Sequence, residues 1–417
     1  MKLYSLGAAR EVGRSAFFLE GESTSLLFDY GVKVFTKEEK PAYPAPLPRM
    51  PDGVFISHAH LDHSGYLPNI FDEGKVRWYA TPPTVDIAEI LWNDSLKLAK
   101  LKGYDFPYKK SSIEKAKNYW IPSIHGQIMR IGEFSIRIID AGHLAGAMMI
   151  RVEENGKSIL YTGDFKIEET ELHKGAKIPE RSHVLIIEST YYNREHPKRT
   201  DAEKQLMQEI WETIENGGNV LLPAFAVGRT QEIARVIRKY DDEIPVYIDG
   251  MGTSVNKVYL KYPGYIKDFP GFEKTIESVN TVANARERAR ATKKPSVIIA
   301  TAGMLEGGPS LGYLKNLLPN SKIIFTGYSV EGTNGWRLLN YGKIKIDEYE
   351  LDVDLPAEYI DFSAHAGRED LYKMIKGVNP ELVVCVHGDE PDKFAKEIEE
   401  KEGIKAVAPK IGEVISL

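Results

Sequence analysis

The chain has little cysteine, no net positive charge and no long apolar run. Each of these features would have pointed directly to a class of protein: disulfide-rich, nucleic-acid-binding by bulk charge, or membrane-spanning. Its 417 residues contain one cysteine, Cys385, so an internal disulfide is excluded. Cys385 lies in the apolar run 382–386 and is expected to be a buried, unreactive side chain. The formal net charge is −6, so bulk charge gives no argument for nucleic-acid binding.

No apolar run reaches the ~18 residues that a membrane span needs, and we find no internal repeat. The first apolar stretch is interrupted by Tyr4 and Ser5, and charged residues follow at once. We therefore expect a first strand rather than a signal peptide, and a cytoplasmic protein without membrane contact. With 42% hydrophobic and 27% charged residues, the composition is that of an ordinary globular protein.

Two styles of sequence alternate along the chain. Short strands separated by turns dominate the first ~195 residues, which predicts a strand-rich α/β layer. From Asp201 to about Leu355, strands alternate with helices, which predicts a parallel doubly wound sheet. The first style resumes at Glu358. We expect one domain interrupted by another, with segments 1–199, 200–355 and 356–417.

The segment 57–65 is the most informative, because His58, His60, Asp62 and His63 fall within six residues. Imidazole nitrogen and carboxylate oxygen suit zinc, and catalytic zinc sites leave one position open for water. The preceding apolar run 54–56 reads as a buried strand. The ligands would then lie at the carboxyl end of that strand, where α/β proteins place their sites. Two metals would need further ligands from elsewhere in the chain.

Several other residues share this setting, an apolar strand that ends in a histidine or an acid among small residues. They are His143, Asp164, Glu188, His365 and His387. An aspartate after glycine is most often a turn residue, but a carboxylate at a strand end can also bridge two metals. An acid that follows four apolar residues is costly to bury unpaired. The repetition indicates a shared site more strongly than any single residue does.

These residues resemble the motifs of the metallo-β-lactamase superfamily. Asp29 is similar to the first motif, the cluster 58–63 to the second, His143 to the third and Asp164 to the fourth.

The resemblance is closer to the β-CASP branch of that superfamily. Glu188, His365 and His387 are similar to its motifs A, B and C. The stretch 222–232 resembles the signature that opens its inserted domain, and 300–308 and 327–333 resemble later segments. The resemblance covers nearly the whole chain. It implies an α/β fold, a metallo-β-lactamase αββα sandwich interrupted by a doubly wound parallel-sheet β-CASP domain.

Two details narrow the resemblance. A histidine at motif C, His387, is similar to the RNA-processing members, whereas DNA-acting members typically carry valine there. The tetrapeptide 362–365, Phe-Ser-Ala-His, resembles the sequence at this motif in the nuclease subunits of cleavage and polyadenylation factor. RNase J more often has Ser-Gly-His at the same motif. Archaeal relatives occur in both groups. We expect no KH-domain extension.

The resemblance implies two zinc ions per chain. One would be held by His58, His60 and His143, the other by Asp62, His63 and His387, with Asp164 shared. His365 would protonate the leaving 3′ oxygen, and Glu188 would raise the pKa of His365. Asp29 would orient a ligand histidine or its loop.

The inserted domain would supply contacts to RNA phosphates, and Arg229, Gly303 and Ser329 are the candidates. Backbone N–H groups in glycine-rich loops and at a helix start can meet phosphates. Plain helix starts and tight turns explain the same residues equally well.

The function implied is a zinc-dependent ribonuclease that cuts single-stranded RNA to 5′-phosphate and 3′-hydroxyl products. Endonuclease and 5′→3′ exonuclease action stay open, as does assembly as a homodimer or within a larger RNA-processing complex. The alternatives are a DNA nuclease, a small-molecule metallo-hydrolase and a non-catalytic scaffold. The small-molecule hydrolase explains the zinc cluster but neither the insert nor Glu188 and His365.

Overall fold

The computed structural model describes residues 1–34 and 40–417. They form two compact units. The first comprises 1–169, 174–195 and 364–417, and the second comprises 170–173 and 196–363. The second unit thus extends beyond 200–355 at both ends, and the predicted domain division stays a prediction. None of the helices in the described ranges combines the length and the apolar character needed to cross a membrane.

The segment before residue 196 is built mainly of strands. Its strands are β1 (Lys2–Gly7), β2 (Ala16–Glu20), β3 (Ser25–Phe28), β4 (Gly53–Phe55), β5 (Trp78–Ala80), β6 (Trp120–Pro122), β7 (Ile128–Ile131), β8 (Phe134–Asp140), β9 (Met148–Glu154), β10 (Lys157–Tyr161) and β11 (Val184–Glu188). Its helices are α1 (Leu61–Ser64), α2 (Leu67–Glu73), α3 (Pro82–Lys102) and α4 (Lys110–Tyr119).

The middle segment alternates strands and helices. Its strands are β12 (Val220–Pro223), β13 (Val246–Asp249), β14 (Asn280–Val282), β15 (Val297–Ala300), β16 (Lys322–Phe325), β17 (Lys343–Ile346), β18 (Tyr349–Asp352) and β19 (Ala357–Tyr359). Its helices are α5 (Arg199–Glu215), α6 (Arg229–Tyr240), α7 (Gly252–Lys261), α8 (Phe269–Ser278), α9 (Ala285–Ala291), α10 (Gly308–Tyr313) and α11 (Asn334–Tyr341). The last segment adds α12 (Arg368–Val378), β20 (Leu382–Val386), α13 (Pro391–Glu402), β21 (Lys405–Val407) and β22 (Val414–Ser416).

Two sheets with an apolar core between them form the centre of the first unit. One sheet has the order β22-β1-β2-β3-β4-β5-β6 and the other β21-β20-β11-β10-β9-β8-β7. Side chains alternate along β8, where Phe134, Ile136 and Ile138 point inward and are fully buried. Burying one such side chain contributes about 1.5–3 kcal/mol. Residues of both sheets join in one apolar cluster, so the strand ends that carry the site have a rigid support.

Strands β8, β10, β11 and β20 run in the same direction in the second of these sheets. The pairs β10–β11 and β11–β20 are parallel, and β9 is antiparallel to both β8 and β10. Residues that follow these strands therefore meet at one edge of the sheet.

The second unit is a parallel sheet of the order β14-β13-β15-β12-β16-β19, with an apolar cluster on each face. This confirms the predicted parallel doubly wound sheet. The strand β19 pairs with β16, whereas the expected segment boundary at 355 would place it outside the insert. A short strand belongs to the domain whose sheet it pairs with. The sequence alone does not show which strand that partner is.

Local structure follows the sequence pattern where the apolar period is clear. Helix α3 ends at Lys102 and is followed by Gly103, whose φ of 73° lies in the left-handed region. Helix α10 is short and ends at Tyr313. No sequence pattern predicted α4, whose buried face consists only of Ser112, Ile113 and Ala116.

Candidate metal centre

The predicted site residues of the first unit lie at the carboxyl ends of its strands. Asp29 directly follows β3, the cluster 58–63 follows β4, and His143 follows β8. Asp164 follows β10, Glu188 is the last residue of β11, and His387 directly follows β20. His365 lies just before α12 and joins them.

The first group of ligand atoms comes from His58, His60, His143 and Asp164, and these atoms lie within 4.8 Å of one another. His58 Nε2 lies 3.5 Å from Asp164 Oδ2, and His143 Nε2 lies 3.4 Å from His60 Nδ1. Ligands about 2.0–2.1 Å from a tetrahedral zinc lie about 3.3–3.4 Å apart. The spacing in this group therefore fits a single ion.

The second group combines Asp62, His63, Asp164 and His387, again within 4.8 Å. His63 Nε2 lies 3.3 Å from both Asp164 Oδ2 and His387 Nε2. His387 Nε2 lies 3.2 Å from Asp62 Oδ2. Asp164 belongs to both groups, so its carboxylate has the position that a ligand shared by two ions requires.

Asp164 also provides the test of fit for a metal. It is 2% exposed, and its Oδ1 has no hydrogen-bond partner in the part of the chain that the structure describes. A buried carboxylate oxygen without a donor is costly unless a cation satisfies it. The surrounding imidazole nitrogen and carboxylate oxygen atoms are the donor set that zinc prefers. The residues present therefore fit zinc.

Burial and charge set the protonation of these histidines. Burial lowers the pKa of His60 to about 4 and the pKa values of His58 and His143 well below the usual range. These three are neutral at pH 7, which is the form that binds metal. For His63 burial acts in the same direction, but the carboxylates of Asp164 and Asp29 outweigh it and raise its pKa well above normal.

Asp29 collects hydrogen bonds that orient one ligand. Its Oδ1 accepts from Ser57 N at 2.6 Å, and its Oδ2 accepts from Ser57 Oγ at 2.7 Å and Tyr161 OH at 2.6 Å. Oδ2 also lies 2.7 Å from His63 Nδ1. This contact leaves His63 Nε2 for the ligand group. A carboxylate behind a ligand histidine fixes its ring and its tautomer, which is the role expected for Asp29.

Glu188 and His365 form a pair beside Asp164. His365 Nδ1 lies 2.9 Å from Glu188 Oε2, while Glu188 Oε1 accepts from Phe165 N at 2.9 Å. Burial lowers the pKa of His365, but the carboxylates of Glu188 and Asp164 outweigh it and raise that pKa to about 9. The Glu188 side chain is 1% exposed and that of His365 21%, so the imidazole is the accessible member.

Thr190 is a polar contact that the sequence reasoning missed. Its hydroxyl donates to Glu188 Oε2 at 2.8 Å and lies 3.1 Å from both Nδ1 and the carbonyl oxygen of His387. It thus connects the acid of the Glu188–His365 pair with a ligand of the second group. Side chains two apart point to the same side of an extended chain. A hydroxyl two residues after a strand-end acid was therefore the available signal.

The three predicted phosphate contacts lie in the second unit, after the neighbouring strands β12, β15 and β16. Arg229 is half-buried and donates to the carbonyl oxygen of Phe362. Gly303 packs on the loop after β12, where a Cβ would lie 2.9 Å from Phe225 N. Ser329 Oγ is buried and has no hydrogen-bond partner among the described residues. The structure brings the three loops to one edge of the sheet and leaves their role in RNA binding a prediction.

Comparison with known proteins covers all parts of the chain. Residues 9–208 match the metallo-beta-lactamase superfamily, 230–338 the Beta-Casp domain, and 350–409 the Zn-dependent metallo-hydrolase RNA specificity domain. A solved structure from Enterococcus faecalis, described as a protein of unknown function, shares the fold with a TM-score of 0.66 at 17% identity. It covers 100% of this chain and 99% of its own.

Archaeal proteins are similar over the full length. The "Probable RNase MJ4" of Methanocaldococcus jannaschii is 36% identical over 100% of both chains. The "RNase aCSPSF2" of Saccharolobus solfataricus is 36% identical over 99% of this chain and 84% of its own. The "Transcription termination factor FttA" of Thermococcus kodakarensis is 34% identical over 98% of this chain and 70% of its own. The chain therefore belongs to the β-CASP family of metallo-β-lactamase-fold ribonucleases, as its motifs predicted.

Proposed function

We propose that the protein is a zinc-dependent ribonuclease that hydrolyses phosphodiester bonds of single-stranded RNA to 5′-phosphate and 3′-hydroxyl products. The observation that carries the proposal is the position of Asp164, which belongs to both four-residue ligand groups and also forms a three-residue group with Glu188 and His365, whose Nδ1 lies 3.9 Å away. Two ligand groups beside a proton-holding pair suit phosphodiester hydrolysis. Full-length relatives that carry the name RNase support RNA as the substrate.

In this proposal the chain holds two zinc ions. His58, His60 and His143 would hold one, and Asp62, His63 and His387 the other, with Asp164 shared. Bound zinc supplies a lowered pKa for water and neutralises charge that develops on phosphate oxygens. Asp29 keeps the His63 ring in place through the contact to Nδ1.

His365 is proposed to protonate the leaving 3′ oxygen. Its Nδ1 contacts Glu188, so in the protonated ring the proton available for transfer is the one on Nε2. Glu188 is held in turn by Phe165 N and Thr190, which fixes the direction of the imidazole. A general acid of this kind contributes about 10²–10⁴-fold in rate.

Arg229, Gly303 and Ser329 are proposed to position RNA phosphates. The unpartnered, buried Ser329 Oγ supports this role, because a buried hydroxyl normally finds an acceptor or donor. Gly303 allows the loop after β15 to approach closely. Arg229 acts here through the loop that it ties to Phe362.

Metal content tests the shared carboxylate. We expect the purified protein to hold about two equivalents of zinc, and Asp164→Asn to retain one or none, because the substitution removes the charge common to both groups. The measurement is elemental analysis after dialysis, with the exposed Asp105→Asn as the control. Full zinc content in Asp164→Asn would contradict the assignment.

Two substrates separate proton donation from metal binding. His365→Ala should cut RNA about 10²–10⁴-fold more slowly. It should keep its zinc, since His365 lies outside both four-residue groups and shares only a three-residue group with Asp164 and Glu188. It should also keep activity on bis(p-nitrophenyl) phosphate, whose leaving group needs no proton. Equal losses on both substrates would refute the role as acid. Matched DNA and RNA oligonucleotides, run with the same enzyme, test the preference for RNA.

Thr190→Val keeps the shape of the side chain and removes its hydroxyl. Because that hydroxyl contacts both Glu188 and His387, we expect zinc affinity or RNA cleavage to fall about 10–100-fold. Zinc affinity is measured against a competing chelator, and cleavage under saturating zinc. Thr190→Ser, which restores the hydroxyl, should recover most of the loss. A Val variant that equals the unmodified protein in both assays would remove Thr190 from the site.

The mode of attack is tested with circular RNA. An endonuclease linearises a circle, because it needs no chain end. Cutting of the circle would establish endonuclease action. The companion substrate is linear RNA of the same sequence with and without a 5′ monophosphate. An intact circle, together with monophosphate-dependent release of mononucleotides, would establish 5′→3′ exonuclease action instead.

A further inference from the structure

Helix α9 and the turn after it present four exposed cations. These are Arg286, Arg290, Lys293 and Lys294, called the basic strip below. Within residues 1–34 and 40–417, none of the four side chains has a hydrogen bond or an ion pair to another residue. Four unpaired positive charges within nine residues stand out in a chain whose net charge is −6.

Helix stability does not explain the whole strip. Cations near the end of a helix are favourable, but a cation in its first turn is opposed by the helix dipole. Arg286 lies in that first turn. The acid next to it, Glu287, accepts a hydrogen bond from Ala283 N at 2.6 Å and helps to cap the helix. Arg286 therefore lies where the local fold gives no reason for a positive charge.

The opposite side of α9 is fixed to the sheet. Arg288 donates from Nε and Nη2 to the two oxygen atoms of Asp249, at 2.7 and 3.1 Å. Tyr313 OH donates to the same carboxylate at 2.8 Å, and Ala291 is fully buried. Arg288, the arginine that ties α9 to the sheet, is thus paired with Asp249. Arg286 and Arg290, four residues apart, share the outer face.

The start of α9 lies at the sheet edge that also carries the loops with Gly303 and Ser329. Asp249, which binds Arg288, is the last residue of β13, and α9 begins just after β14. In the order β14-β13-β15, two strand spacings of ~4.8 Å, or about 10 Å, separate β14 from the strand that precedes Gly303. A single strand of RNA that contacts the Gly303 loop has its next phosphates within reach of Arg286 at the start of α9, and the strip leads from there along the helix to Lys293 and Lys294, which precede β15.

We propose that the basic strip binds backbone phosphates of the RNA substrate, as a second contact surface apart from the metal centre. This inference rests on the proposed ribonuclease function. The guanidinium groups match phosphate geometry as paired donors. Ala285 and Ala289 are exposed beside them, so small side chains leave room for a sugar–phosphate backbone. The strip binds without regard to base sequence, since phosphates carry no sequence information.

The experiment replaces all four residues by glutamine (Arg286→Gln, Arg290→Gln, Lys293→Gln, Lys294→Gln) in the full chain. The matched control removes the same charge from exposed lysines of the first unit (Lys97→Gln, Lys100→Gln, Lys102→Gln, Lys110→Gln). Binding of a labelled 30-nucleotide single-stranded RNA is measured by fluorescence anisotropy over a range of salt concentrations. Hydrolysis of bis(p-nitrophenyl) phosphate reports the metal centre of each variant.

The strip variant should bind RNA about tenfold or more weakly at low salt. Its plot of log affinity against log salt should flatten by up to about 2.8, or about 0.7 for each phosphate that the variant no longer neutralises. Hydrolysis of bis(p-nitrophenyl) phosphate should stay unchanged, and the control should bind within about twofold of the unmodified protein. Unchanged affinity and salt slope in the strip variant overturn the inference, as does an equal weakening in the control, which would show bulk charge alone.

The outcomes also separate this inference from the proposed function. A protein that binds RNA through the strip but cuts neither RNA nor a small phosphodiester refutes the ribonuclease proposal and leaves the strip standing. A protein that cuts RNA with the same affinity and the same KM after the four substitutions refutes the strip alone. In that case, an acidic protein surface becomes the partner to test.

Discussion

Asp164 is a charged residue that is only 2% exposed, and the surrounding polar side chains are arranged around its carboxylate. Taking a carboxylate out of water costs several kcal/mol unless paired charges and hydrogen bonds compensate. His58, His63 and His143 lie 3.3–3.9 Å from its Oδ2. His387 Nδ1 lies 3.5 Å from Asp164 Oδ1, which has no hydrogen bond in the described chain, so the imidazoles leave this oxygen incompletely satisfied. The site is therefore built for a cation.

The same residues that pack the apolar core also hold the buried charged groups of the site in position. Tyr161 stacks on Phe28 with ring centroids 5.4 Å apart, inside the apolar cluster, while its hydroxyl donates to Asp29. Asp29 in turn positions His63, a ligand of the second group. The packing of an aromatic ring between two sheets thus determines the angle of a histidine. A disturbance of the core packing would reach the ligand groups directly, because the same side chains take part in both.

The sequence indicated the residues that the structure brings together, because they follow apolar strands and have small neighbours; their role as metal ligands stays a prediction. His143 and Asp164 are examples. The contacts behind the ligands were not predictable, since they join residues far apart in the chain. Thr190 meets His387 across 197 positions and Tyr161 meets Asp29 across 132. The pairing of β19 with β16 was not predictable for the same reason. The pattern of apolar residues shows that a strand exists and not which strand it pairs with.

A chain with a net negative charge that acts on a polyanion needs its positive charges to be concentrated at the surfaces that contact the polyanion. With a net charge of −6, long-range attraction to RNA is weak, so binding depends on short-range clusters and on bound cations. In the proposed function, the ligand groups supply one such place and the basic strip of α9 a second. If the strip binds backbone phosphates and the ligand groups act on one bond, as proposed, affinity and chemistry rest on different residues. Such a division lets the enzyme hold many RNA sequences while the geometry at the cleaved bond stays constant.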